Sequence, residues 1–126
     1  MLRLTTCFRA LLPAYALVIA WLSLTPATGD GALWDKALHF CAYGGFALLT
    51  LPWSRGHASR LLFWGLGVFV YSGLLEVAQS AVPGRSMDGL DMVANGLGIA
   101  AGLCCGWALL QWSSGRVKRL LLGTAP

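Results

Sequence analysis

Apolar residues run through this chain in four blocks, at about 10–24, 37–53, 61–82 and 90–112, and short polar stretches separate them. The blocks are continuous rather than alternating, which is the pattern of helices and not of membrane-barrel strands. A helix that crosses a bilayer needs about 20 mainly apolar residues, with a range of about 17 to 25. The third and fourth blocks reach that length. The first two reach it only if Arg9 at one end, or Asp35 and Lys36 at the other, lie among lipid headgroups. The pattern predicts an all-α integral membrane four-helix bundle, a single domain over residues 1–126. Pro13 is tolerable in the first turn of its helix. Arg3 and Arg9, an apolar run and then SLTPATGD resemble a secretory signal with a cleavage site, but the segment is read as a retained helix.

Composition strengthens this reading. The chain is 57% hydrophobic and 11% charged, against about a quarter charged in an average soluble domain. Its net charge of +4 is a matter of topology, not of nucleic-acid binding, because of where the basic residues fall. Arg3, Arg9, Arg55, Arg60, Arg116, Lys118 and Arg119 make seven of the nine, all on one side of the four predicted spans, with only Lys36 and Arg85 on the other. The positive-inside rule then places both termini in the cytoplasm, with four spans. Trp53, Trp64, Trp107 and Trp112 fit a cytoplasmic aromatic belt, and Trp34 the opposite interface. His57, in a basic inner loop, has no role beyond solubility and orientation. Cys7, Cys41, Cys104 and Cys105 have no CxxC spacing and read as small buried residues.

The acids change the picture. Asp30, Asp35, Glu76, Asp88 and Asp91 are all five of them, and each falls at the outer end of a helix or in an outer loop. Asp30 reads as a solvated loop residue. Asp35, His39 and Tyr43 are spaced i, i+4, i+8 and share a helix face, with Lys36 nearby; Glu76 and Gln79 are spaced i, i+3; Asp88, Asp91 and Asn95 are spaced i, i+3, i+7. Asp88 suits the positive end of a helix dipole, and Ser86 is a candidate cap. A charge inside a spanning segment costs about 2.5 to 3.5 kcal/mol, so the three stripes should face one another, with Lys36 and Arg85 as counter-charges. DGLDMVANG lacks the acid spacing and final glutamate of a calcium loop. Gly98 and Gly102 match a GxxxG packing face, for use within the bundle or between two copies.

Three separated motifs, DKxxHFxxY, ExxQ, and an arginine followed by DxxDxxxNxxG, occur here in order. They are carried by Asp35, Lys36, His39, Phe40, Tyr43, Glu76, Gln79, Arg85, Asp88, Asp91, Asn95 and Gly98, and the core they define covers about 35–102. In this the chain resembles the VanZ-like family of small bacterial membrane proteins. The resemblance implies a cell-envelope compartment and an association with low-level glycopeptide resistance, especially to teicoplanin, and with lipopeptide tolerance. It implies no reaction.

The residues leave three readings open. In the first, His39, Glu76, Asp88 and Asp91 are catalytic: His39 is oriented by Asp35 or Glu76, Asp88 and Asp91 hold a divalent cation, and Lys36 and Arg85 bind a phosphate. That would make a metal-assisted hydrolase or transferase of a phosphate-containing envelope substrate. In the second, Asp35, Lys36, Tyr43, Gln79, Arg85 and Asn95 line a pocket that binds a membrane lipid, a lipid-linked precursor or an amphiphilic antibiotic. In the third, the same side chains lock the helices together.

Overall fold

A computed structural model describes residues 4–26 and 32–122; Arg3 and Asp30 lie outside the described residues. Among the described residues there are six helices and no strand: α1 (Leu4–Leu24), α2 (Ala32–Leu49), α3 (Leu51–Ser54), α4 (Ala58–Gln79), α5 (Gly89–Trp112) and α6 (Gly115–Leu122). Three are long and apolar enough to cross a membrane, over Thr6–Leu24, Ala58–Gln79 and Gly89–Trp112. The fourth expected span, α2, is not among them; Asp35, Lys36 and His39 occupy its first turns.

The second apolar block is two helices rather than one. Pro52, in the first turn of α3, has no N–H to give and its ring crowds the preceding carbonyls, so α2 stops at Leu49. The chain then reverses through Arg55 (φ 49°) and Gly56 (φ 78°), both left-handed. The third block ends three residues earlier than its apolar run, because the chain leaves the helix at Gln79 for the turn around Pro83 and Gly84. There Val82 N–H donates to the Gln79 carbonyl and Arg85 N–H to that of Val82.

α1 and α4 run toward one end of the molecule, and α2 and α5 run away from it. α2 and α5 form the closest pair. A methyl group on Gly98 would collide with the Phe40 carbonyl, one on Gly102 with the Gly44 carbonyl, and one on Gly44 would lie 3.1 Å from the Gly98 carbonyl oxygen. The GxxxG face is therefore used within the chain, where it brings two parallel backbones into contact. α1 is tied in by the Tyr15 hydroxyl, which donates to the Ala42 carbonyl (3.0 Å), and by Tyr71, which donates to that of Ala16 (2.6 Å).

The interior is graded along its axis. Ile19, Tyr43, Phe46, Ala47, Val68, Leu75 and Ile99 form the middle layer, and Leu51, Leu61 and Leu110 close one end. Trp107 packs on that closure, and the rings of Trp53 and Trp64 meet with centroids 5.8 Å apart. Glu76, Gln79, Asp91 and Asn95 are buried toward the other end. Outside, Leu17, Trp21, Phe63, Leu66 and Leu74 are each at least 60% exposed. A polar interior inside an apolar shell is stable in lipid, not in water.

Candidate functional site

The close approach of α2 and α5 sets the two helix N-termini side by side, and the site is built there. The backbone from Ser86 to Asp88 is not yet helical, so the cap of α5 is Asp88 and not Ser86; its carboxylate accepts from Leu90 N–H at 2.8 Å. One turn on, Asp91 and then Asn95 point inward from α5, and Asp35, Lys36 and His39 meet them from α2.

Lys36 lies between two carboxylates. Its ammonium donates to Asp88 Oδ2 at 2.7 Å and to Asp91 Oδ1 at 2.6 Å. Together with the Leu90 N–H, that ammonium holds the Asp88 carboxyl below its usual value of 3.8. Glu76, 2% exposed, faces the start of α5, where Asp88 N–H approaches its Oε2 at 3.5 Å.

His39 has a different partner from the ones expected. Its Nδ1 is 3.0 Å from Asn95 Oδ1, to which it donates in the tautomer that carries the proton on Nδ1. Asp35 (4.0 Å from Nε2) and Glu76 (3.9 Å from Nδ1) stand too far off to orient the ring by hydrogen bonding. Asp91 Oδ2 is 3.9 Å from Nε2. The ring stacks on Tyr43 at 6.3 Å between centroids, with 18° between the planes. Asn95, fully buried, has no partner for its Nδ2 among the described residues.

Arg85, expected as a counter-charge to the acids, faces α1. Its Nε donates to the Thr25 carbonyl (2.7 Å) and a terminal nitrogen to that of Leu22 (3.1 Å), closing the end of a helix whose last carbonyls have no intrahelical donor. Gln79 does the same from α4, donating to the Ser23 carbonyl at 3.1 Å. Asp88 and Asp91, read as a cation pair, are instead bridged by lysine.

Beside His39 lies a cavity of about 280 Å³ between α1, α2 and the end of α4. Its polar wall is Asp35, His39, Tyr43, Gln79, Arg85 and Ser23; its apolar wall is Ile19, Leu22, Leu38 and Ala42. Leu22 and Leu38 are also more than half exposed, so the cavity is open at its apolar wall. The sequence reading missed the apolar wall. Ser23, a polar residue near the end of an apolar block, was the one available signal.

An apolar helical shell around a buried polar end, with three helices long and apolar enough to span a bilayer, defines a polytopic helical membrane protein. Residues 6–111 match the VanZ/LLP1 family model, and the chain belongs to that family. No curated protein and no solved structure matches it.

Proposed function

We propose that the polar end faces outward across the bacterial inner membrane and receives an amphiphile, such as a lipid, a lipid-linked envelope precursor or an amphiphilic antibiotic, which enters sideways from the bilayer. The observation that supports this is the cavity, with one polar wall and one apolar wall whose Leu22 and Leu38 are exposed. A headgroup would lie against Arg85, Gln79 and His39, and a chain would leave past Leu22 and Leu38. Arg85 keeps its charge while bonded to the carbonyls of α1, so an anionic head is favoured at that edge. In this reading α2 is a fourth span with its charged first turn among the outer headgroups, and both termini are cytoplasmic. Binding of this kind is enough to alter susceptibility to a glycopeptide or lipopeptide without any reaction.

The test is photo-crosslinking in native membranes from a reactive residue at position 38, compared with one at position 62, where Leu62 is exposed on a surface away from the cavity. A discrete lipid or precursor adduct from 38 and only bulk phospholipid from 62 is the expected result. Identical bulk adducts from both positions would remove the basis for a cleft ligand.

A further inference from the structure

We propose that Asp35, His39 and Asp91 form a binding site for a single divalent metal ion, held by His39 Nε2 and one oxygen from each carboxylate. The three ligand atoms lie within 4.8 Å of one another. His39 Nε2 is 3.9 Å from Asp91 Oδ2 and 4.0 Å from Asp35 Oδ2. Two bonds of about 2.1 Å at angles of about 110° to 140° span about 3.4 to 3.9 Å, so the two edges from Nε2 are near what an ion needs, and the half-exposed Asp35 side chain has room to close the third, which is within 4.8 Å.

A second observation points the same way. The His39 side chain is only 10% exposed, and its Nδ1–H is committed to Asn95 Oδ1 at 3.0 Å. In the tautomer that makes this bond, the Nε2 lone pair faces the two carboxylates, where no donor reaches it among the described residues. A lone pair that faces two anions, on a side chain only 10% exposed, is better satisfied with a cation between them. A metal-binding histidine characteristically donates its other N–H to an oxygen, as His39 does to Asn95.

Charge supports the same position. Asp35 and Asp91 face this point, with Glu76 on the Nδ1 side of the same ring, and Lys36 bonds only Asp88 Oδ2 and the far oxygen of Asp91. Arg85 is directed to α1. The N-termini of α2 and α5 offset part of the remaining negative charge, and a divalent ion would offset most of the rest. Asp35 and His39 also line the cavity, so the ion would keep a coordination position open toward whatever enters it. Imidazole and carboxylate donors suit ions from Mn²⁺ to Zn²⁺. The ion itself needs no amphiphile.

Mn²⁺ is the probe, since it prefers these donors to the free thiols of Cys41, Cys104 and Cys105. Metal-stripped full-length protein in detergent, without added lipid, is titrated and bound Mn²⁺ is read from loss of the free-ion resonance signal. One ion per chain is expected. Asp35→Asn, at a side chain half exposed and therefore tolerant, should weaken affinity at least tenfold; His39→Gln should abolish binding, and Cys41→Ser should leave it unchanged. His39 and His57 are the chain's only histidines, so Mn²⁺ should broaden the His39 ring resonances while those of His57 stay sharp. No uptake by the wild type, equal affinity in Asp35→Asn, or equal broadening of both histidines would overturn the site. Any of these could occur with the position-38 crosslink intact, so the metal and the cleft ligand fail separately.

Discussion

Asp88 ends a loop, caps a helix and pairs with a lysine, and its titration separates these roles. Its carboxyl is depressed below 3.8, first by the Lys36 ammonium and then by the Leu90 N–H. A depressed folded value means that the charged group's contribution to stability is complete above the unfolded pKa and is lost as the pH falls through the folded one. Asparagine caps a helix as well as aspartate does, so Asp88→Asn removes the charge and keeps the cap. Wild type should melt higher than Asp88→Asn at pH 5 to 7 by a constant margin, and the two melting curves should converge only below about pH 4. A margin unchanged down to pH 2 would show that the ammonium does not stabilise the charged form. Asn95 poses a different question at this scale. Its amide oxygen accepts from His39 in the tautomer that carries the proton on Nδ1, while its buried Nδ2 has no partner among the described residues.

The pairing of α2 with α5 aligns these residues, and it depends on what Gly98 and Gly102 lack. Alanine favours an exposed helix over glycine by about 0.8 to 1 kcal/mol. Gly98→Ala should nevertheless lower stability by about 1 to 3 kcal/mol, because its methyl group meets the Phe40 carbonyl, a backbone atom that cannot move aside. Gly67→Ala, with nothing within 4 Å, should be neutral or mildly stabilising. Equal melting temperatures for the two variants would mean that α2 and α5 are not in backbone contact.

The stripes themselves were legible, because spacings of three and four fix which residues share a face whatever the tertiary fold. Asp35 with His39, and Asp91 with Asn95, came from that rule. The partner of Arg85 was not legible, since the carbonyls of Leu22 and Thr25 reach it only through the packing of α1 against α4, some sixty residues away in sequence. Nor was the choice of Asn95 over Asp35 or Glu76 as the partner of His39, which turns on less than 1 Å between 3.0 Å and 3.9 Å. The break at Thr50 was signalled by Pro52 but hidden by the continuous apolar run. α6, eight residues long with three basic side chains, was too short to mark by periodicity.

Across the whole molecule, one gradient relates the fold to the proposed use. Leu51, Leu61 and Leu110 close one end; Lys36, His39, Glu76 and Asp91 occupy the other. A network needed only to join helices could lie at any depth, and each interhelical hydrogen bond in a membrane contributes only about 0.6 kcal/mol on average. Every described acid lies at the end that holds the cavity, the arrangement on which the proposed ligand reading rests. The most direct measurement is equilibrium binding of a polyprenyl phosphate to purified protein in nanodiscs, comparing wild type with Ala42→Leu, whose added bulk fills the cavity without touching a charge. Saturable binding by the wild type, weakened at least tenfold in Ala42→Leu at an unchanged melting temperature, is the predicted result. Non-saturable partitioning that is the same in both proteins would contradict it and leave the polar end as a lock between helices.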